Sequence, residues 1–181
     1  SWTGGRIGWV VFPNVEEAQI FKNLNINYFS CIAPYNQEGA RVAIESPLSK
    51  GTIAEMNAAF ERRRDFVVDA LNNMPGVECQ LPKGAFYVFP NIAGVVKNLK
   101  IDEAYAALPK DIQKTTSPST LCQMFLLWEY HVAMMDRKSF GQLGTENMHY
   151  LRLSIATGLE DLKIGMERMA KAVSDEAGFA Q

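Results

Sequence analysis

What this sequence has little of narrows its possible roles. Cysteine occurs three times, at Cys31, Cys79 and Cys122, far apart and without a CxxC pair. Neither a disulfide framework nor a zinc site is expected from that, and a reducing, cytoplasmic compartment fits. Histidine is scarcer still: His131 and His149 stand at no metal-ligand spacing from each other or from the cysteines, so no metal is expected. Positive charge is in slight deficit, with 18 Lys plus Arg against 20 Asp plus Glu for a net charge of −2. No overall field exists to attract a phosphate backbone, and nucleic acid is not an expected partner. The longest apolar runs, such as Ile7 to Phe12, fall far short of the roughly 20 residues that cross a bilayer as a helix, so no membrane segment is expected. GxSxG, HExxH and P-loop patterns are absent, as are internal repeats and low-complexity segments.

What is there is ordinary globular material. The 181 residues are 48% hydrophobic and 21% charged, enough for one domain or for one and a fraction. Arg6 to Phe12 is an apolar, β-branched run after a glycine-rich turn and before Pro13, which suits a strand covered on both faces. Asn14 with Glu17 resembles a capping box opening a helix with Ala18, Phe21 and Leu24 on one side. A shorter helix follows Pro34 and includes Gln37 to Ile44. Thr52 and Glu55 suggest a second capping box, ahead of a long amphipathic helix from Ile53 to about Asn73. Arg62, Arg63 and Arg64 fan over roughly 200° of that helix and read as solvated surface.

Beyond Pro75 and Gly76 the pattern changes to a hairpin, Val77 to Leu81 and Ala85 to Phe89 about a Pro82–Gly84 turn. A short helix from Asp102 to Leu108 precedes a polar stretch, Lys110 to Ser119, expected to be a mobile loop. Thr120 to Tyr130 reads as a buried helix and His131 to Met135 as a strand. His149 to Ile155 alternates, with Tyr150, Arg152 and Ser154 on the polar face. Thr157 and Glu160 suggest a third capping box, for a helix through Leu162, Met166 and Met169 that ends in a frayed tail. Met134, Met135, Met166 and Met169 read as packing. The element order gives an α/β chain.

Two arginines stand out chemically. Arg6 follows the glycine-rich turn, where a planar guanidinium suits two oxygens of a phosphate; an arginine tying a loop to a carboxylate is the alternative. Arg152 sits in mid-strand, where an unpaired charge is costly to bury, so it needs an anion. That anion is either a ligand or a local acid such as Asp136 or Glu146.

Ser1, Trp2, Thr3, Gly4, Gly5, Arg6, Ile7 and Gly8 resemble the TGxRxG segment of the class I and II aminotransferases. Gln37 within a Tyr, Asn, Gln, Glu, Gly stretch follows, then PKGAFYVF from Pro82 to Phe89, Ser139–Phe140–Gly141 and YLRLSIA from Tyr150 to Ala156, in the family's order. The resemblance implies the end of the large pyridoxal-phosphate domain of fold type I over 1–46, a linking helix over 47–76, and the small α+β domain over 77–181. It implies that Arg6 holds the coenzyme phosphate and Arg152 the substrate α-carboxylate. The family's lysine, eight residues before the arginine, would fall three positions before Ser1. No catalytic residue is therefore expected within this chain, which should be inactive without a preceding part; Lys50, in the only Ser-Lys pair, reads as surface.

The reaction implied is transamination between an amino acid and a 2-oxo acid, in a homodimer. Three departures accompany the likeness: Asp136, Arg137 and Lys138 replace a Pro-Gly turn, Phe29 stands where dicarboxylate-specific members place a second arginine, and Lys110 to Ser119 does not align. Two rival readings are a non-catalytic folding or interaction domain and another pyridoxal enzyme such as a carbon-sulfur lyase.

Overall fold

A computed structural model describes residues 2–141 and 149–180. The chain divides into two compact units, Ser1–Met56 and Asn57–Gln181, with the division falling inside one long helix.

In the first unit, Asn14 caps helix α1 (Val15–Phe29) as its sequence predicts: its side chain accepts from the Glu17 N–H at 2.8 Å and donates to the Glu17 carboxylate at 2.8 Å. Helix α2 (Pro34–Glu45) opens with Pro34 in its first turn, where a missing N–H costs nothing. No residue of α1 or α2 is buried, and Phe21 and Leu24, the predicted apolar side of α1, are exposed. The strand expected from Arg6 to Phe12 does not form. A strand exists only through a ladder with a neighbour, and among the described residues none pairs here; Trp9, Val10 and Val11 are exposed instead.

Helix α3 (Ser49–Asn72) starts earlier than its sequence suggests. The Ser46 hydroxyl accepts from the Leu48 N–H, and the Ser46 carbonyl accepts from Ser49. Thr52 is thus already inside the helix, bonding back to the Leu48 carbonyl rather than capping anything.

In the second unit, the C-terminal half of α3 buries Val67, Val68 and Leu71 against a three-stranded antiparallel sheet and the helices behind it. The strands are β1 (Tyr87–Val88), β2 (Met135–Asp136) and β3 (Leu151–Ser154), in the order β1-β3-β2. Tyr87 lies opposite Ser154, and Met135 opposite Arg152. Leu151 and Leu153 of β3, and Ile155 just after it, are buried in the core, as the alternation predicts. The expected hairpin reduces to a single bridge between Glu78 and Asn91, because Tyr87 and Val88 pair with β3 instead. Likewise the strand expected from His131 shrinks to Met135–Asp136, since His131 takes a left-handed φ of 55°.

Helices α4 (Ala93–Asn98), α5 (Ile101–Ala107) and α7 (Pro118–Trp128) pack together behind the sheet. Gly76, at φ 80°, lets its backbone press against Gly94 at the start of α4, and its carbonyl accepts from the Val95 N–H. The stretch expected to be mobile, Lys110 to Ser119, holds helix α6 (Lys110–Thr115) and the start of α7. Its order comes from tertiary bonds that composition does not reveal: the Tyr105 hydroxyl donates to the Gln113 carbonyl, and Lys138 donates to the carbonyls of Lys114 and Thr116.

Helix α8 (Leu159–Ala172) buries Leu162, Met166 and Met169 at helical spacing. Its N-cap is Gly158, so the capping box expected at Thr157 does not form; the Thr157 hydroxyl donates to Asp161. The tail ends in helix α9 (Glu176–Phe179), capped by Asp175, whose carboxylate also accepts from the Tyr130 hydroxyl at 2.6 Å. Among the described residues no helix is long and apolar enough to cross a membrane.

Candidate functional site

Arg6 belongs to the first unit. Thr3–Gly5 form a tight 3₁₀ turn, after which Arg6 takes a left-handed backbone (φ 46°, ψ 50°) with its side chain exposed. The turn is anchored to α2 at two points. The Asn36 amide donates to the Gly5 carbonyl at 2.8 Å, and the Trp2 indole lies against Gly39, where a Cβ would come within 2.6 Å of the ring. This gives the Tyr35–Gly39 landmark a physical meaning: it seats the arginine-bearing turn. Sequence reasoning missed Asn36 and Gly39, although the run containing them was visible.

A cavity of about 410 Å³ opens beside the turn, lined by Trp2, Thr3, Arg6 and Ile7. No carboxylate pairs with Arg6 among the described residues. A guanidinium, a hydroxyl and an open cavity fit a phosphate group. Ser1, the start of the motif, lies outside the described residues.

Arg152 belongs to the second unit, half-buried on the outer face of β3. Its guanidinium carbon lies over two aromatic rings, 4.2 Å from the centre of Tyr87 and 4.4 Å from that of Phe140. One Nη2–H points to the Met135 sulfur at 2.7 Å, a weak acceptor. Met135 therefore faces away from the core, where packing was expected of it: Met134 takes the inward position and the strand's alternation turns its neighbour out. Phe89 and Tyr150 stack at 5.1 Å, extending the same aromatic surface.

Of the two local acids that could have satisfied Arg152, Asp136 is committed elsewhere. Its carboxylate accepts from the Ser139 N–H at 3.0 Å and from the hydroxyls of Ser139 and Thr120. Burial alone would push its pKa up, but these hydrogen bonds and the nearby Lys138 charge hold it below the ordinary carboxylate range. Glu146, the other acid, lies outside the described residues.

The remaining candidates carry no chemistry. Lys50 is exposed in the first turn of α3, and Phe29 is the exposed last residue of α1. Arg64 is tied to Glu61, Asp65 and the Pro82 carbonyl, and Arg63 sits over Phe60 while Arg62 is exposed. Cys122 is buried and pushed up to about 12, which makes it an inert thiol. Among the described residues no cluster of His, Cys, Asp and Glu could hold a metal.

The chain is thus a mixed helix-and-strand protein with one exposed arginine after a Gly-Gly turn and another lying over two rings on a small antiparallel sheet. The family described as aminotransferase class I and II matches residues 1–169, and the chain belongs to it. It is 35% identical over 175 residues to a probable aspartate/prephenate aminotransferase of Aquifex aeolicus, covering 97% of this chain and 39% of that protein. An aspartate aminotransferase of Streptomyces avermitilis is also 35% identical, again over 97% of this chain but 38% of its own length. Among solved structures, the aromatic aminotransferase from Pyrococcus horikoshii OT3 superposes with a TM-score of 0.73 at 28% identity, over 97% of this chain and 40% of that one. The chain thus spans about two fifths of the length of the relatives it matches.

Proposed function

We propose that this chain is part of a pyridoxal-phosphate-dependent aminotransferase moving an amino group between an amino acid and a 2-oxo acid, and that it is inactive by itself. The observation that carries this is Arg152: a guanidinium on the polar face of β3, flanked by two rings and paired with no carboxylate among the described residues. A half-buried cation so placed calls for an anion from outside. The α-carboxylate of the substrate meets that need, and a bidentate pair fixes the direction of the bonds at the substrate's Cα.

Arg6 is assigned to the coenzyme phosphate. Pyridoxal phosphate, when bound, supplies the electron sink that this chain's side chains lack. Residues 1–46 are assigned to the end of the large domain, 47–76 to the linking helix and 77–181 to the small domain, in a cytoplasmic homodimer. The relatives' names support transfer of an amino group over the carbon-sulfur lyase alternative.

The test uses the longer enzyme that carries these residues. Arg152→Ala removes one member of a desolvated charge pair, about 2–5 kcal/mol, and should lower kcat/KM for both substrates by roughly 30-fold to several thousand-fold. Unchanged kinetics would sink the assignment of Arg152. The 181-residue chain, mixed with pyridoxal phosphate and borohydride, should gain no stoichiometric label at any single lysine; such a label would show that the chain holds coenzyme on its own.

A further inference from the structure

Arg152 and its two aromatic neighbours come from three separate places in the second unit, and each is fixed by a different device. Tyr87 is on β1 opposite Ser154, which makes it the diagonal neighbour of Arg152 on the same face of the ladder. Met135, directly opposite Arg152 on β2, takes one N–H at its sulfur. Phe140 ends a short 3₁₀ turn, Lys138–Phe140, just where the chain departs from the family's Pro-Gly pattern.

That turn is pinned from below. Asp136 is 3% exposed and gathers the Ser139 N–H, the Ser139 hydroxyl and the Thr120 hydroxyl, while the Phe140 N–H donates to the Arg137 carbonyl at 3.1 Å. Lys138 ties the same turn to the end of α6 through the carbonyls of Lys114 and Thr116, at 2.9 and 2.7 Å. Phe140, although 45% exposed, is therefore held over the guanidinium by its backbone.

We propose that Tyr87 and Phe140 are positioning residues that hold the Arg152 guanidinium plane ready for edge-on capture of a carboxylate, with the Asp136–Phe140 turn supplying the second ring. The proposal rests on the reading of Arg152 as the carboxylate site. An arginine side chain is long and flexible, and its five N–H donors all lie in the guanidinium plane. Two rings within cation–π distance of the guanidinium carbon, and the Met135 sulfur at one Nη2–H, limit where the group can swing, and the donors left over can make two parallel N–H···O bonds. Neither ring needs to touch the ligand. Their contribution is order already present before binding, which lowers the cost of capture.

The experiment follows the Nε–H resonance of Arg152 in the nitrogen-resolved NMR spectrum of the longer enzyme that carries these residues, assigned by its loss in Arg152→Lys, with pyruvate as the carboxylate probe. Ring currents should place this proton upfield of the other arginines in the wild type and in Tyr87→Phe, which keeps the ring. Tyr87→Leu and Phe140→Leu should each move it back towards the others and raise the pyruvate midpoint at least several-fold. Phe140 lies outside the core, so its variant decides the matter if Tyr87→Leu does not fold.

A wild-type signal among the ordinary arginines overturns the proposal, as does a pyruvate midpoint equal in all variants; the latter leaves the carboxylate reading standing. A shifted signal that pyruvate never moves overturns the carboxylate reading itself, and the capture role with it.

Discussion

Asn36 donates its side-chain amide to the carbonyl of Gly5 at 2.8 Å and so fixes the residue directly before Arg6. The link reaches from the first turn of α2 to the glycine-rich turn, and it is partly buried, so no water easily replaces it. Asn36→Ala should remove about 0.5–1.5 kcal/mol of local order, the net worth of one such bond. In the longer enzyme, coenzyme retention by equilibrium dialysis should weaken by roughly two- to tenfold. Unchanged retention would mean that the Arg6 turn holds its shape without α2.

The Gly76–Gly94 contact sets a second expectation. A Cβ on Gly94 would run into the Gly76 backbone, and Gly76 itself has the left-handed φ that a side chain disfavours. Backbone cannot step aside as a flexible side chain can. Gly94→Ala should cost more than about 2 kcal/mol in a denaturant titration, above the range typical of surface changes. Gly165→Ala, in open space on α8, should be neutral or slightly stabilising.

Acid should loosen the Asp136 turn before the rest of the second unit. Because the folded pKa of Asp136 is depressed, its contribution is fully present above the unfolded aspartate value of about 4 and is lost as pH falls through the lower folded value. The Phe140 ring signals should therefore shift below about pH 4. In Asp136→Asn that step should vanish, while the melting temperature at pH 7 falls.

The exposed apolar side chains of the first unit predict association. Trp9, Val11, Val15, Phe29 and Tyr35 are each at least 70% exposed. Surfaces of that kind seldom stay uncovered in water. Sedimentation of the 181-residue chain should show mass rising with concentration, and Val11→Lys combined with Phe29→Glu should reduce it. A monomer at every concentration tested would contradict this.

Legibility in the sequence tracked the range of the forces involved. Asn14 and Glu17 announce α1 because a cap is a local bond, and Leu162, Met166 and Met169 announce α8 because its buried face repeats at helical spacing. The placing of Arg6 after a tight turn and of Arg152 on the outer face of β3 was legible from a glycine pair and a strand alternation. The strand expected over 6–12 was not realised, since pairing depends on a distant partner that local pattern cannot supply. The polar residues of α6 hid a helix whose order comes from Tyr105 and Lys138. Thr52 and Thr157 show the opposite error: a capping pattern means nothing once a neighbouring serine or glycine has already set the start. The Tyr87–Arg152–Phe140 arrangement depends on strand register, so no motif announces it.

The brevity of β1 and β2 has its own consequence. Each outer strand is only two residues long, so the sheet offers almost no vacant row of N–H and C=O groups for a foreign strand to annex. Strand addition at the edges of this sheet should therefore contribute little to any self-association of the second unit.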